Sequence, residues 1–276
     1  MKTVPHLLSR RWVGACSVAL LATASLVLTP SWAQAQSRKD SVVLGMILEP
    51  TSLDPTMAPA AAIGEVVHYN VLEGLTKINV DGSVSPLLAE SWKMDADGKA
   101  FTFKLRKGVK FSDGASFDSA AVKFSFERAK DAKSTNKAKG AVFSNISHIS
   151  TPDAHTVVLV LNNPDGNFLF RMGENTAVIL HPDSVATAAT KPVGTGPYKI
   201  DNWAKGSAIT MSRWDGYRDV AAVKLKKVTF RFINDASAQV AALLAGDIDG
   251  MPRFQSPQSL KQFQSDKRFV VELGST

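Results

Sequence analysis

The spacing of turn-forming pairs constrains this chain most. Asp81-Gly82, Asp97-Gly98, Gly108, Asp113-Gly114 and Lys205-Gly206 punctuate short segments rich in Val, Ile, Phe and Thr. Glycine adopts left-handed backbone without a Cβ clash, so such runs between such turns read as hairpin strands. Phe101-Thr102-Phe103-Lys104-Leu105 alternates apolar and polar residues, the period of a half-buried strand. From about Lys224 the order changes to strand, helix, strand, helix, strand. Val228 to Ile233 is the first strand of this run, and Asp235 caps a helix through Leu244 that ends at Gly246. Ile248 marks a short strand, Ser256-Pro257 opens a helix, and Phe269 to Leu273 is a final strand. This alternation predicts βαβ units and a parallel sheet, which needs both faces covered. A sequence closing in Gly274-Ser275-Thr276 leaves that sheet expected to be unfinished.

Upstream, Ser41 to Ile47 is a predicted strand, followed by a loop with two prolines, Glu49-Pro50-Thr51-Ser52-Leu53-Asp54-Pro55. Ile63, Val67 and Val71 share one face of a predicted helix from Ala60 to Leu72, with Gly74 as its cap. Asp118 is placed to cap a helix to about Lys130. His155 to Leu161 is a β-branched strand after the turn Pro152-Asp153. His181-Pro182-Asp183 starts a short helix with Pro182 in its first turn. Pro197 to Trp203 and Ser207 to Arg213 form a predicted hairpin.

The N-terminus has the three parts of a secretory signal peptide. Lys2, Arg10 and Arg11 carry positive charge, an apolar run spans about Val13 to Leu28, and Ala33-Gln34-Ala35 supplies small residues before a cut at Gln36. The run is shorter than the ~20 residues of a membrane span. The chain is therefore expected to be periplasmic, with residues 1–35 removed. Ser9-Arg10-Arg11 leaves general and twin-arginine export both open. Val13-Gly14-Ala15-Cys16 has the letters of a lipoprotein box, but its apolar region follows the cysteine rather than preceding it.

Several chemistries lack their residues. Cys16 is the single cysteine and lies in the leader, so the mature part holds no disulfide, thiolate metal site or cysteine nucleophile. There is no G-x-S-x-G elbow, no H-E-x-x-H pair and no phosphate-binding loop. Gly246-Asp247-Ile248-Asp249-Gly250 lacks the ligand set of a calcium loop, and Asn163, Asp165 and Asn167 read as a polar turn. No cofactor, metal or catalytic residue is expected. Loss of the leader's three positive charges lowers the formal charge from +7 to +4, interspersed rather than patched, which argues against nucleic acid as a partner.

Five motifs, in order, resemble family 5 of the bacterial extracellular solute-binding proteins, which serve dipeptide, oligopeptide, nickel and related ABC importers. They are Leu53-Asp54-Pro55, then Asn70-Val71-Leu72-Glu73-Gly74-Leu75, then Leu88-Ala89-Glu90-Ser91-Trp92 with Phe101 to Phe111, then Pro192-Val193-Gly194-Thr195-Gly196-Pro197-Tyr198, and Leu243-Leu244-Ala245-Gly246-Asp247-Ile248-Asp249. Ser112 departs from a frequent family His. Read as physics, most of these residues pack: Trp92, Phe101, Phe103 and Phe111 suit a core, and Gly194 and Gly196 permit close backbone approach.

The resemblance implies an α/β fold, periplasmic-binding-protein-like (class II type), with a first lobe carrying an inserted β-rich subdomain. Residues 36–75 and 190–276 would form the first lobe and 76–189 the subdomain. Family chains are roughly twice this length, so the second lobe is expected to be absent and the chain to stop about halfway. The implied activity is capture of a small solute, by default a di- or oligopeptide, with nickel chelates, opines and sugars open. A monomer would deliver it to an ABC permease driven by a separate ATPase. The alternative is a truncated, non-transporting interaction protein, with a periplasmic hydrolase more distant. The implied ligand-binding residues are Glu49, Pro50, Thr51 and Ser52 after the first strand, with Phe143, Asn175 and Thr176.

Overall fold

A computed structural model describes residues 39–58 and 60–274. The predicted leader and its cleavage point lie outside the described residues. Three sheets organise the described chain. β1 (Ser41–Met46), β8 (Tyr198–Ala204), β9 (Ala208–Arg213) and β10 (Lys227–Phe232) form a sheet in the order β1-β10-β9-β8. β1 and β10 run parallel, and the other pairs are antiparallel. β2 (Thr76–Ile78) and β3 (Val84–Pro86) make a hairpin. β4 (Ala89–Met94), β5 (Ala100–Leu105), β6 (Ile146–Asp153) and β7 (Thr156–Leu161) form an antiparallel sheet in the order β4-β5-β7-β6.

The turns form where the glycines stand. Gly82, Gly98, Gly108, Gly114 and Gly206 all have positive φ between 71° and 95°. Asp118 caps α2 (Ser119–Lys130), its carboxylate accepting from the Ala120 and Ala121 N–H groups. Asp235 caps α4 (Ala236–Ala245) through the Ala238 N–H, and Gly246 closes that helix at φ 76°. α1 (Ala61–Val67) precedes α2, the single turn α3 (Phe168–Arg171) lies between α2 and α4, and α5 (Leu260–Ser265) follows a 3-10 turn opened by Pro257. Pro182 likewise begins a 3-10 helix to Thr187.

Two apolar cores result. One, from Leu75 to Ile179, packs α2 on the β4–β7 sheet and buries Phe101, Phe103, Phe111, Phe126 and Phe143 almost completely, with Trp92 at its margin. Removing each such side chain from water contributes about 1.5–3 kcal/mol. The other packs α1 on the β1-β10-β9-β8 sheet. They meet along residues 177–180, whose side chains alternate: Ala177 and Ile179 enter the first core, Val178 and Leu180 the second.

Three expectations are corrected. The helix predicted from Ala60 to Leu72 ends at Val67. His68 is extended and Tyr69 takes φ 60°, which turns the chain away. The freed backbone is used elsewhere: Asn70 O accepts from Tyr198 N at 2.9 Å and Val71 O from Gly196 N at 3.0 Å. Gly74 caps no helix; a Cβ there would lie 2.4 Å from Met172 O, so glycine serves a close crossing. The strand predicted at Phe269 to Leu273 does not form; these residues join no sheet among the described residues. The parallel sheet is limited to the β1–β10 pair, and Ile248 is followed by one bridge, Leu44 to Gly250.

The motif residues are structural. Ile248 is buried, and Asp249 accepts from Val43 N at 2.7 Å and pairs with Lys39, closing the free edge of β1. A Cβ on Gly194 would lie 2.0 Å from Val71 O, and one on Gly196 2.6 Å from Asn70 O.

His68 gives the fold a pH dependence. Its ring stacks on Tyr69 at 3.8 Å, and its Nε2 is buried without a hydrogen-bond partner. Burial lowers its pKa from 6.5 to about 4, against a smaller opposing effect from the Gly173 main chain. The unfolded chain therefore binds the extra proton between those values. Stability from this site is complete above pH 6.5 and is lost as pH falls towards 4. Urea unfolding of wild type minus His68→Phe should show a difference on the order of 2 kcal/mol between pH 7 and pH 4. A difference that does not change with pH would contradict the assignment.

Candidate functional site

The seven expected ligand-binding residues do not form one cluster. Glu49 leaves β1 and turns towards the β8–β9 hairpin, where its carboxylate accepts from Trp203 Nε1 at 2.7 Å and Gly206 N at 2.9 Å. Both oxygens are engaged, so a ligand ammonium would have to displace them. Pro50 is buried and Thr51 exposed. Ser52 is half-buried, its Oγ accepting from Asp54 N at 3.1 Å. Phe143 is corrected outright: it is fully buried, packed against Phe126 at 5.5 Å between centroids, and cannot touch a solute without opening the core. The expectation for Phe143 came from family resemblance alone.

Asn175 and Thr176 do enter a constellation. The 3-10 turn Asn175–Ala177 lies against α1, where a Cβ on Gly64 would come within 2.6 Å of Asn175 Nδ2. Thr176 O accepts from Asn136 Nδ2 at 2.9 Å. The adjacent Thr135 Oγ1 donates to Met57 O, in the loop after Asp54. Three segments remote in sequence, 54–58, 134–138 and 175–177, therefore share one surface.

A half-buried ion pair anchors that surface. Arg128, on the last turn of α2, donates through Nη2 to Asp54 Oδ2 at 2.7 Å and through Nη1 to Thr56 Oγ1. Asp54 Oδ1 accepts from Thr56 N at 2.9 Å and Thr56 Oγ1 at 2.6 Å. The Leu53-Asp54-Pro55 motif is thus tied to α2 across the junction of the two cores. Sequence reading missed Asn136, Thr135 and Arg128. The only trace was the polar linker itself, because their partners stand 40, 78 and 72 to 74 positions away.

Two further concavities lie elsewhere. One of about 540 Å³ is lined by residues including Met251, Phe254, Phe263 and Leu273. Another, of about 460 Å³, lies over Val42, Leu44 and Phe230, with Glu65 and Arg253 among its lining. Neither includes an expected ligand residue. Within the 54–58, 134–138 and 175–177 segments, Thr56 Oγ1, Thr135 Oγ1 and the Asn136 amide are engaged in internal hydrogen bonds, and the half-buried Asn175 and Thr176 supply the amide and hydroxyl that suit recognition by hydrogen bonding.

A family model described as bacterial extracellular solute-binding proteins, family 5 Middle, matches residues 83–276. The glutathione-binding protein GsiB of Pectobacterium atrosepticum is 31% identical over 245 residues, covering 87% of this chain and 45% of that protein. GsiB of Escherichia coli K12 is 30% identical over 201 residues, 71% of this chain and 39% of that one. The chain thus spans less than half the length of these curated relatives. Among solved structures, the periplasmic binding protein AgaA of A. tumefacien R10 in complex with agropinic acid has a TM-score of 0.77 at 32% identity, covering 82% of this chain and 46% of that one. DppA of Helicobacter pylori, in complex with the peptide STSA, has a TM-score of 0.75 at 29% identity, covering 82% and 49%.

Proposed function

Because the chain belongs to the bacterial extracellular solute-binding proteins, family 5, we propose that it is the solute-capturing component of an ABC importer and takes a small peptide. The observation that carries this reading is the 31% identity to a glutathione-binding protein along 87% of the chain. The α/β fold is that of periplasmic binding proteins, and the described residues correspond to part of a first lobe. In this reading lobe segments 36–75 and 190–276 surround a subdomain 76–189, a division that the two cores follow except at Leu75, which packs in the subdomain core, and at Val178, Leu180 and Ala188, which pack in the lobe core. The 54–58/134–138/175–177 surface would be one wall of the cleft. A second lobe would close on it, and closure would bury the solute and favour the closed state by differential affinity.

In this reading the protein works as a monomer in the periplasm, after removal of residues 1–35. It docks on an inner-membrane permease whose separate ATPase supplies energy. Binding and release require no catalytic residue.

Titration calorimetry of the chain with reduced glutathione, Ala-Ala and glucose tests the proposal. Glutathione is expected to bind at least about tenfold more tightly than glucose, a difference of about 1.4 kcal/mol. Equal affinities, or no heat from either peptide, would overturn the peptide reading.

A further inference from the structure

We propose that Asn136 is a positioning residue of the solute site, fixing the Asn175–Ala177 turn against the 134–138 linker. The inference rests on the solute-binding reading above. Asn136 is only 5% exposed, although it lies in a polar linker. Its Nδ2 donates to Thr176 O at 2.9 Å, and its Oδ1 accepts from Ala138 N at 2.8 Å. Its own N–H donates to Ser134 Oγ at 3.2 Å. An asparagine amide carries a donor and an acceptor on one short stem, and both are used here.

The two ends of this bridge are held differently. The linker is secured independently by Thr135 Oγ1 on Met57 O and by Val142 and Phe143 in the core behind it. The Asn175–Ala177 turn has Asn136 as its side-chain tether to the linker. Thr176 offers a main-chain carbonyl, and the next residues, Ala177 and Val178, are each 1% exposed in different cores. Loss of the tether would thus leave the cores packed while freeing the half-exposed Asn175 and Thr176 to move. A buried amide would then set where a solute meets that wall without touching the solute.

The test compares wild type, Asn136→Asp and Asn136→Ser in the full chain, with reduced glutathione as the probe. Aspartate keeps an acceptor for Ala138 N but has no donor for Thr176 O. Serine can keep the local turn but is too short to reach Thr176, and guards against an aspartate variant that does not fold. Both variants are expected to bind glutathione about fivefold more weakly, the effect of roughly one net hydrogen bond. Amide exchange at 175–178 should rise about tenfold, with exchange in β5 and β7 unchanged. Asn136→Gln, which retains both amide functions, should recover part of the affinity.

Unchanged affinity in a folded Asn136→Ser chain would overturn the positioning role while leaving the solute-binding reading intact. Accelerated exchange spread evenly through both cores would also overturn it, because the residue would then be purely structural. Wild type that binds neither glutathione nor Ala-Ala would overturn the solute-binding reading, and this inference with it.

Discussion

Glu73→Ala is expected to destabilise the chain by about 3 kcal/mol, near the lower end of the range for breaking a buried pair. Glu73 is 2% exposed, and its two oxygens accept from Arg218 Nη1 and Nη2, each at 2.7 Å. Thr195 Oγ1 donates to the same carboxylate at 2.8 Å. Removing the carboxylate strands a guanidinium whose side chain is 16% exposed. Asp219, 3.6 Å from Arg218 Nε, compensates in part, which places the cost at the lower end. Replacing both partners together, Glu73→Leu with Arg218→Met, should cost less than the single change, because no unpaired charge remains. Urea unfolding of the three variants measures this. A Glu73→Ala cost below about 1 kcal/mol would class the pair with surface bridges and contradict its place at the junction.

Gly194→Ala tests the same junction through main chain rather than charge. The added Cβ would meet Val71 O at 2.0 Å and Leu72 Cδ2 at 2.7 Å. The leucine can rotate, but the carbonyl cannot withdraw without disturbing the bond it accepts from Gly196 N. The expected cost is about 2–3 kcal/mol, the upper range for overpacking. Gly140→Ala is the matched control: its Cβ would meet nothing within 4 Å, and its φ is not in the left-handed region. That substitution should stay within about 0.5 kcal/mol. Equal melting midpoints for the two variants would mean that the glycine pair of the Pro192–Tyr198 motif is not there for close approach.

These two sites explain how far the sequence could be read. Features decided within a few residues were legible: the glycine turns, the caps Asp118 and Asp235, and the alternation that buries Phe101 and Phe103. The motif glycines were also legible as close contacts, because a Gly-x-Gly entering a strand has few other uses. What escaped is decided at long range. Ile63, Val67 and Val71 carry a helical period, yet the helix stops at Val67 because Asn70 and Val71 pair with residues 196–198. Phe269 to Leu273 carry strand residues, yet a strand also needs a neighbour.

The candidate site was less legible still. Glu49 was expected at the site because the resemblance places the loop after the first strand there, and its partners Trp203 and Gly206 lie 154 and 157 residues away. Phe143, like Asn175 and Thr176, was implied only by family resemblance, and nothing local to it signals its place in the core. Asn175 and Thr176 came from family resemblance, and nothing local to them signals Asn136. The family motifs mark chiefly how the chain packs, while the proposed solute surface joins one of them, Leu53-Asp54-Pro55, to the 134–138 and 175–177 segments that lie outside them.

The central claim is that the 54–58/134–138/175–177 surface is the solute-binding wall of this chain. Mapping amide chemical shifts during a titration with reduced glutathione tests it most directly. Shifts are expected to concentrate at Met57, Thr135 to Ala138 and Asn175 to Ala177, with the Glu49–Trp203 contact undisturbed. Shifts concentrated instead around Met251, Phe254 and Phe263, or a spectrum unchanged at saturating glutathione, would contradict it.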